Sequence, residues 1–242
     1  MTRILTEFSQ KRVARSKGLA DQGYCLALSA RWVRHIIDSE KDGWDVPKQS
    51  VHKRLQLLKD ETVSLYALHQ SYLSRQGKVL DMIDAQSALL TVAKSGLMED
   101  RDHLANYLRA NQPSLERIAR VNVGGIQLQK SALLLMGTLR VPPKGVTNVS
   151  VTSMQEAIVI ASELIRKGST YVISNRHGST SDEHAMALYR TGGVFSTCFY
   201  FFDPNVGEVF ASSEDEAAFV INELMGPKCD SKTTEWNLLR CN

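Results

Sequence analysis

Apolar positions recur at helical spacing in the first 140 residues, and a half richer in β-branched and aromatic residues follows, the change falling at Val141-Pro142-Pro143-Lys144-Gly145. Before the break, Leu26, Val33 and Ile37 recur with Leu28, Trp32 and Ile36, which predicts a helix over 24–38 with a broad apolar face and a cap within Asp21-Gln22-Gly23. Further helices are predicted over 51–58, 62–75, 79–94, 102–111 and 114–121. After the break, Ser153-Met154-Gln155-Glu156 reads as a capping sequence for a helix to Arg166, stopped by Lys167-Gly168. Short β-branched and aromatic runs follow at 170–174, 183–190, 194–203 and 208–211. Turn chemistry at Asn175 to Asp182, Thr191-Gly192-Gly193 and Pro204-Asn205-Val206-Gly207 separates them, so they predict an antiparallel meander. Ser212-Ser213-Glu214-Asp215-Glu216 opens one more helix, ended by Gly226-Pro227. Helices followed by strands make the fold class α+β.

Length and composition narrow the function. A chain of 242 residues with 43% hydrophobic and 23% charged residues is an ordinary folded unit with one sizeable core, neither disordered nor fibrous. Its net charge is +3, but Lys11, Arg12, Arg15 and Lys17 crowd the start. We therefore divide the chain into a basic arm over 1–20 and a main folded domain over 21–242. Within that domain, 21–140 form a helical subregion, 146–226 a sheet subregion and 227–242 a C-terminal tail. No aromatic residues interleave with the basic cluster, so nucleic acid is not expected as a partner, and weak contact with a membrane surface is the most such an arm implies. No run reaches the roughly 18–20 apolar residues of a membrane span. The opening Met1-Thr2-Arg3-Ile4-Leu5-Thr6-Glu7-Phe8 lacks a secretory apolar stretch, so any export takes another route. The four cysteines, at 25, 198, 229 and 241, form no Cys-x-x-Cys pair and have no His at ligand spacing. No metal or other cofactor is expected, and free thiols are expected rather than a Cys229–Cys241 bridge.

A thiol attacks as a thiolate, and a helix N-terminus and an imidazolium both stabilise that anion. Cys25 stands behind Gly23 at the predicted first turn of the Trp32 helix, where it is either a reactive thiol or a small core residue. His35, His52, His69 and His103 fall on predicted helices whose polar faces would solvate them, and His177 lies in a polar loop. His184 differs, because it opens the apolar run Ala185-Met186-Ala187-Leu188-Tyr189. The strand Phe199-Tyr200-Phe201-Phe202 ends in Asp203 and Pro204. If it returns beside the His184 strand, Asp203 reaches the imidazole and fixes its tautomer. Otherwise Asp203 merely starts a turn.

Three blocks carry a family resemblance: Asp21-Gln22-Gly23-Tyr24-Cys25 continuing to Trp32, Glu183-His184-Ala185-Met186-Ala187-Leu188, and Phe202-Asp203-Pro204-Asn205-Val206-Gly207-Glu208. Together they resemble the YopT and AvrPphB family of bacterial effector proteases. The resemblance implies a papain-like fold and a thiol hydrolase with the triad Cys25, His184 and Asp203. It also implies delivery to the host cytoplasm without a conventional signal peptide, and a host protein as substrate, such as a small GTPase or a kinase. For the oxyanion, the backbone N–H of Cys25 is one candidate donor and Gln22 the nearest side-chain amide. The same triad chemistry also serves deamidases, transglutaminases and acyltransferases. A non-catalytic interaction module with Cys25, His184 and Asp203 as packing is the more distant alternative.

Overall fold

The computed structural model describes residues 3–20, 23–42, 45–72, 74, 120–123, 126–175, 184–193, 197–226 and 235–242. In chain order the elements are β1 (Arg3–Glu7), α1 (Gln10–Ser16), α2 (Cys25–Asp38), α3 (Val51–Asp60), β2 (Arg120–Val123), β3 (Ile126–Gln129) and α4 (Lys130–Thr138). They continue with β4 (Gly145–Ser150), α5 (Met154–Val159) with its π-helical extension (Ile160–Leu164), β5 (Thr170–Asn175), β6 (Ala185–Arg190), β7 (Phe199–Asp203), β8 (Gly207–Ala211), α6 (Glu214–Met225) and β9 (Glu235–Arg240). Residues 62–72 are also helical.

Period-two alternation in the central strands explains the layering. Ala185, Ala187 and Tyr189 of β6, with Tyr200 and Phe202 of β7, face one core built on Leu28, Trp32 and Ile36 of α2. Met186 and Leu188, with Phe199 and Phe201, face a second core built on α5, its π turn and α6. Strands buried on both faces read as continuous apolar runs, which is why β6 and β7 stand out in the sequence. The small Ala185 and Ala187 side chains let α2 lie close on β6. Full burial of residues such as Leu28 and Ile36 contributes about 1.5–3 kcal/mol each.

The sheet has seven strands in the order β1-β8-β7-β6-β5-β9-β4, and its pairings are antiparallel. The run β5 to β8 is the expected meander, and α2, α3, α5 and α6 form where the periodicity places helices. Elsewhere the structure departs from the sequence reading. The first twenty residues are no separate arm, because β1 pairs with β8 at the sheet edge and α1 packs Ala14 into the core. Within the tail, β9 lies between β5 and β4 with Trp236, Leu238 and Leu239 buried, a strand the sequence reading did not predict. Arg120 and Val121, expected at the end of a helix, begin the β2–β3 hairpin. The expected helices at 79–94 and 102–111 lie outside the described residues. The expected helix to Arg166 widens into the π turn. There Arg190 closes its end by donating to the carbonyls of Ala161 and Ile165 at 3.0 and 2.6 Å.

Gly207 joins the sheet edge to the turn before β8. Its φ is +123°, and a Cβ there would lie 2.1 Å from the Thr6 carbonyl oxygen, so only glycine lets β1 approach.

Candidate active site

Cys25 is the first residue of α2 and is 6% exposed, with no acidic side chain in that first turn. Its position gives the sulfur the positive end of the helix dipole. The cap residue is Tyr24, which makes no side-chain capping bond, in place of the expected Asp21-to-Gly23 cap. One turn further, buried Ser29 donates from Oγ to the Ala185 carbonyl at 3.0 Å. That bond ties the helix of Cys25 to the strand that follows His184. On the other side, the His184 N–H donates to Asn175 Oδ1 at 3.1 Å, and the Asn175 N–H donates to the His184 carbonyl at 3.1 Å.

Asp203 closes β7 and opens a tight turn. Its carbonyl accepts from the Val206 N–H at 3.1 Å, and its Oδ1 accepts from the Asn205 N–H at 2.7 Å. With Oδ1 committed to the turn, Oδ2 lies 2.9 Å from His184 Nε2. The carboxylate is 5% exposed and the imidazole 24%. Burial pulls the His184 pKa down. Hydrogen bonds to Asp203 and to Cys25, with the negative charge of both, outweigh it and hold the imidazole up at about 10. Because Nε2 serves Asp203, Nδ1 is the nitrogen left for the sulfur.

The structure therefore brings Cys25, His184 and Asp203 into one hydrogen-bonded set, on a helix start, a strand start and a strand end. Gln22, His103, His177 and Cys229 lie outside the described residues. His35 stands 3.5 Å from Glu61, and His52 is exposed. His69 is not on a solvated face as expected: it is buried, and burial lowers it to about 4, so it is neutral. Burial likewise pushes the Cys241 thiol up to about 12, which keeps it protonated. Among the described residues, no group of three or more His, Cys, Asp or Glu could hold a metal ion, and no helix is long and apolar enough to cross a membrane.

Two contacts at the site escape sequence reading. Ser29 follows Cys25 at i+4, so helical spacing alone could have placed it on the same face. Gln10 is 5% exposed and lies in the segment read as a basic arm. Its Oε1 accepts from the Tyr24 N–H at 3.2 Å, and its Nε2 donates to Asn205 Oδ1 at 2.8 Å. No local pattern signals a contact that spans 195 positions.

Comparison with known families decides the chain's kinship. The family model Peptidase_C58, described as Yersinia/Haemophilus virulence surface antigen, matches residues 2–238. The chain belongs to the Peptidase_C58 family. This is the YopT-like family of cysteine proteases that the sequence blocks resemble. Among solved structures, the fold is similar to the crystal structure of the Pseudomonas avirulence protein AvrPphB. The TM-score is 0.53 at 16% identity, covering 97% of this chain and 96% of that one. A comparison with curated proteins gives no match. The Peptidase_C58 match begins ahead of β1 and ends within β9, so it takes in the first strand of the sheet and reaches into the last one in chain order.

Proposed function

We propose that the chain is a cysteine peptidase of the YopT-like type, in which Cys25 is the nucleophile, His184 the acid and base, and Asp203 the residue that orients His184. The observation that carries this reading is that His184 bonds Asp203 and Cys25 together, with Cys25 at the start of α2. An imidazole held protonated to about 10 favours the thiolate–imidazolium pair at neutral pH. The thiolate attacks the scissile carbonyl carbon, and His184 gives its proton to the departing amine, leaving an acyl-enzyme. Neutral His184 then takes a proton from water, whose oxygen attacks the acyl carbon and releases the acid and the thiolate. The Cys25 N–H, in the first turn of α2, is the candidate donor for the oxyanion.

The family name speaks of virulence, and on that ground the protein acts as a bacterial effector delivered into a host cell, with a host protein as substrate. A small GTPase or a kinase is the class the resemblance suggests. Lys11, Arg12, Arg15 and Lys17 are exposed on and just after α1 and suit weak contact with an anionic membrane surface. The test is mass spectrometry of a candidate host protein after incubation with wild-type enzyme and with Cys25→Ala. New termini made only by the wild type support the peptidase. A deamidated glutamine or a covalent adduct with an intact chain would instead assign the triad to a deamidase or a transferase.

A further inference from the structure

We propose that Gln10 is a positioning residue for the Cys25–His184 pair, holding the start of α2 and the Asp203 turn in register; this rests on the reading of Cys25 as nucleophile. The nucleophile and the carboxylate sit on elements with separate backbones, and His184 alone does not fix their spacing. Gln10 joins them directly. Its backbone N–H donates to the Pro204 carbonyl at 2.7 Å, its Nε2 to Asn205 Oδ1 at 2.8 Å, and its Oε1 accepts the Tyr24 N–H at 3.2 Å. Pro204 and Asn205 directly follow Asp203, and Tyr24 directly precedes Cys25.

The amide orientation is set by chemistry. A backbone N–H can only donate, so Oε1 must face Tyr24 and the amide nitrogen must face Asn205, whose oxygen then accepts. Gln10 is buried at the site, where both ends of its amide are satisfied and a shift of either element would leave a polar atom unpaired. The clamp acts on Cys25 through the Tyr24 N–H at the helix cap and on His184 through the turn that holds Asp203 Oδ1. It also gives the β1–α1 segment a role in the chemistry, because the neighbouring Phe8 N–H donates to the Val206 carbonyl at 3.2 Å on the same turn.

The test is the pH profile of Cys25 alkylation by iodoacetamide, which needs no substrate, in wild type, Gln10→Met, Asn205→Ala and the double variant. Gln10→Met keeps the volume and removes both side-chain bonds, and Asn205 is exposed, so its truncation leaves the fold standing. Gln10→Met is expected to slow alkylation at pH 6 by roughly 10²-fold, the scale of a displaced reacting group. Its pH profile should depart from that of the wild type. Asn205→Ala should move in the same direction, and the double variant should be no slower than Gln10→Met, because the two side chains share one link. A wild-type profile in Gln10→Met, or losses that multiply in the double variant, would overturn the inference and leave the nucleophile reading intact. Wild-type Cys25 alkylated no faster than free cysteine at pH 6 would overturn both.

Discussion

His184 Nε2 lies 2.9 Å from Asp203 Oδ2, and the other oxygen of that carboxylate is held by the Asn205 N–H, so the acid cannot turn away from the ring. This arrangement makes folding stability depend on pH with a definite sign. The folded-state pKa of His184, about 10, lies above its unfolded value of about 6.5. The stabilisation is therefore complete below the unfolded value and is lost as pH rises through the folded one. Urea denaturation of wild type and His184→Ala across that range should show the wild type's advantage shrinking from near-neutral pH toward pH 10. An advantage that grows with pH would contradict the assignment.

Turnover should respond to the same two residues in different ways. His184→Ala removes the proton carrier and should lower kcat by roughly 10²–10⁴-fold. Asp203→Asn leaves the ring in place but removes the charge that raises its pKa, so the alkaline limb of kcat/KM should move to lower pH. Kinetics on the cleaved substrate, measured across pH for both variants, check the pair.

Behind the site, Arg54 and Glu208 form an ion pair that is 2% and 0% exposed, and Trp32 Nε1 donates to Glu208 Oε2 at 2.8 Å. Arg54→Met would strand the Glu208 carboxylate without its cation and should cost about 3–5 kcal/mol in chemical denaturation. Pairing it with Glu208→Leu should recover part of that loss, because the uncompensated charge is then gone while the buried Trp32 N–H loses its acceptor.

Gly207→Ala combines a left-handed φ with a clash against the Thr6 carbonyl, so it should destabilise by more than about 1 kcal/mol. Hydrogen exchange should show the loss concentrated in β1 and the turn before β8.

How much of this was legible in the sequence varied with how local each signal is. The apolar face of α2 and the apolar runs of β5 to β8 with their turn separators are written in neighbouring residues, and so are the caps at Ser153 and Ser213. Cys25, His184 and Asp203 were legible as candidates because each stands at an element boundary, where α2 and β6 begin and β7 ends. β1, β4 and β9 were not. β1 and β4 are sheet edges with mixed polar residues, and β9 earns its place only by inserting between β5 and β4, pairings set by distant chain segments. Gln10 hid for the same reason, since a polar residue beside basic ones reads as surface until the Asn205 turn folds over it.

The most direct test of the thiolate–imidazolium pair is an NMR titration of the His184 ring in the intact protein. The geometry predicts an imidazole that stays protonated through neutral pH and titrates near pH 10. In Cys25→Ala, which lacks one of the two raising partners, the midpoint should be lower. A His184 ring that titrates near the ordinary value of about 6.5 in the wild type, unmoved by Cys25→Ala, would contradict it.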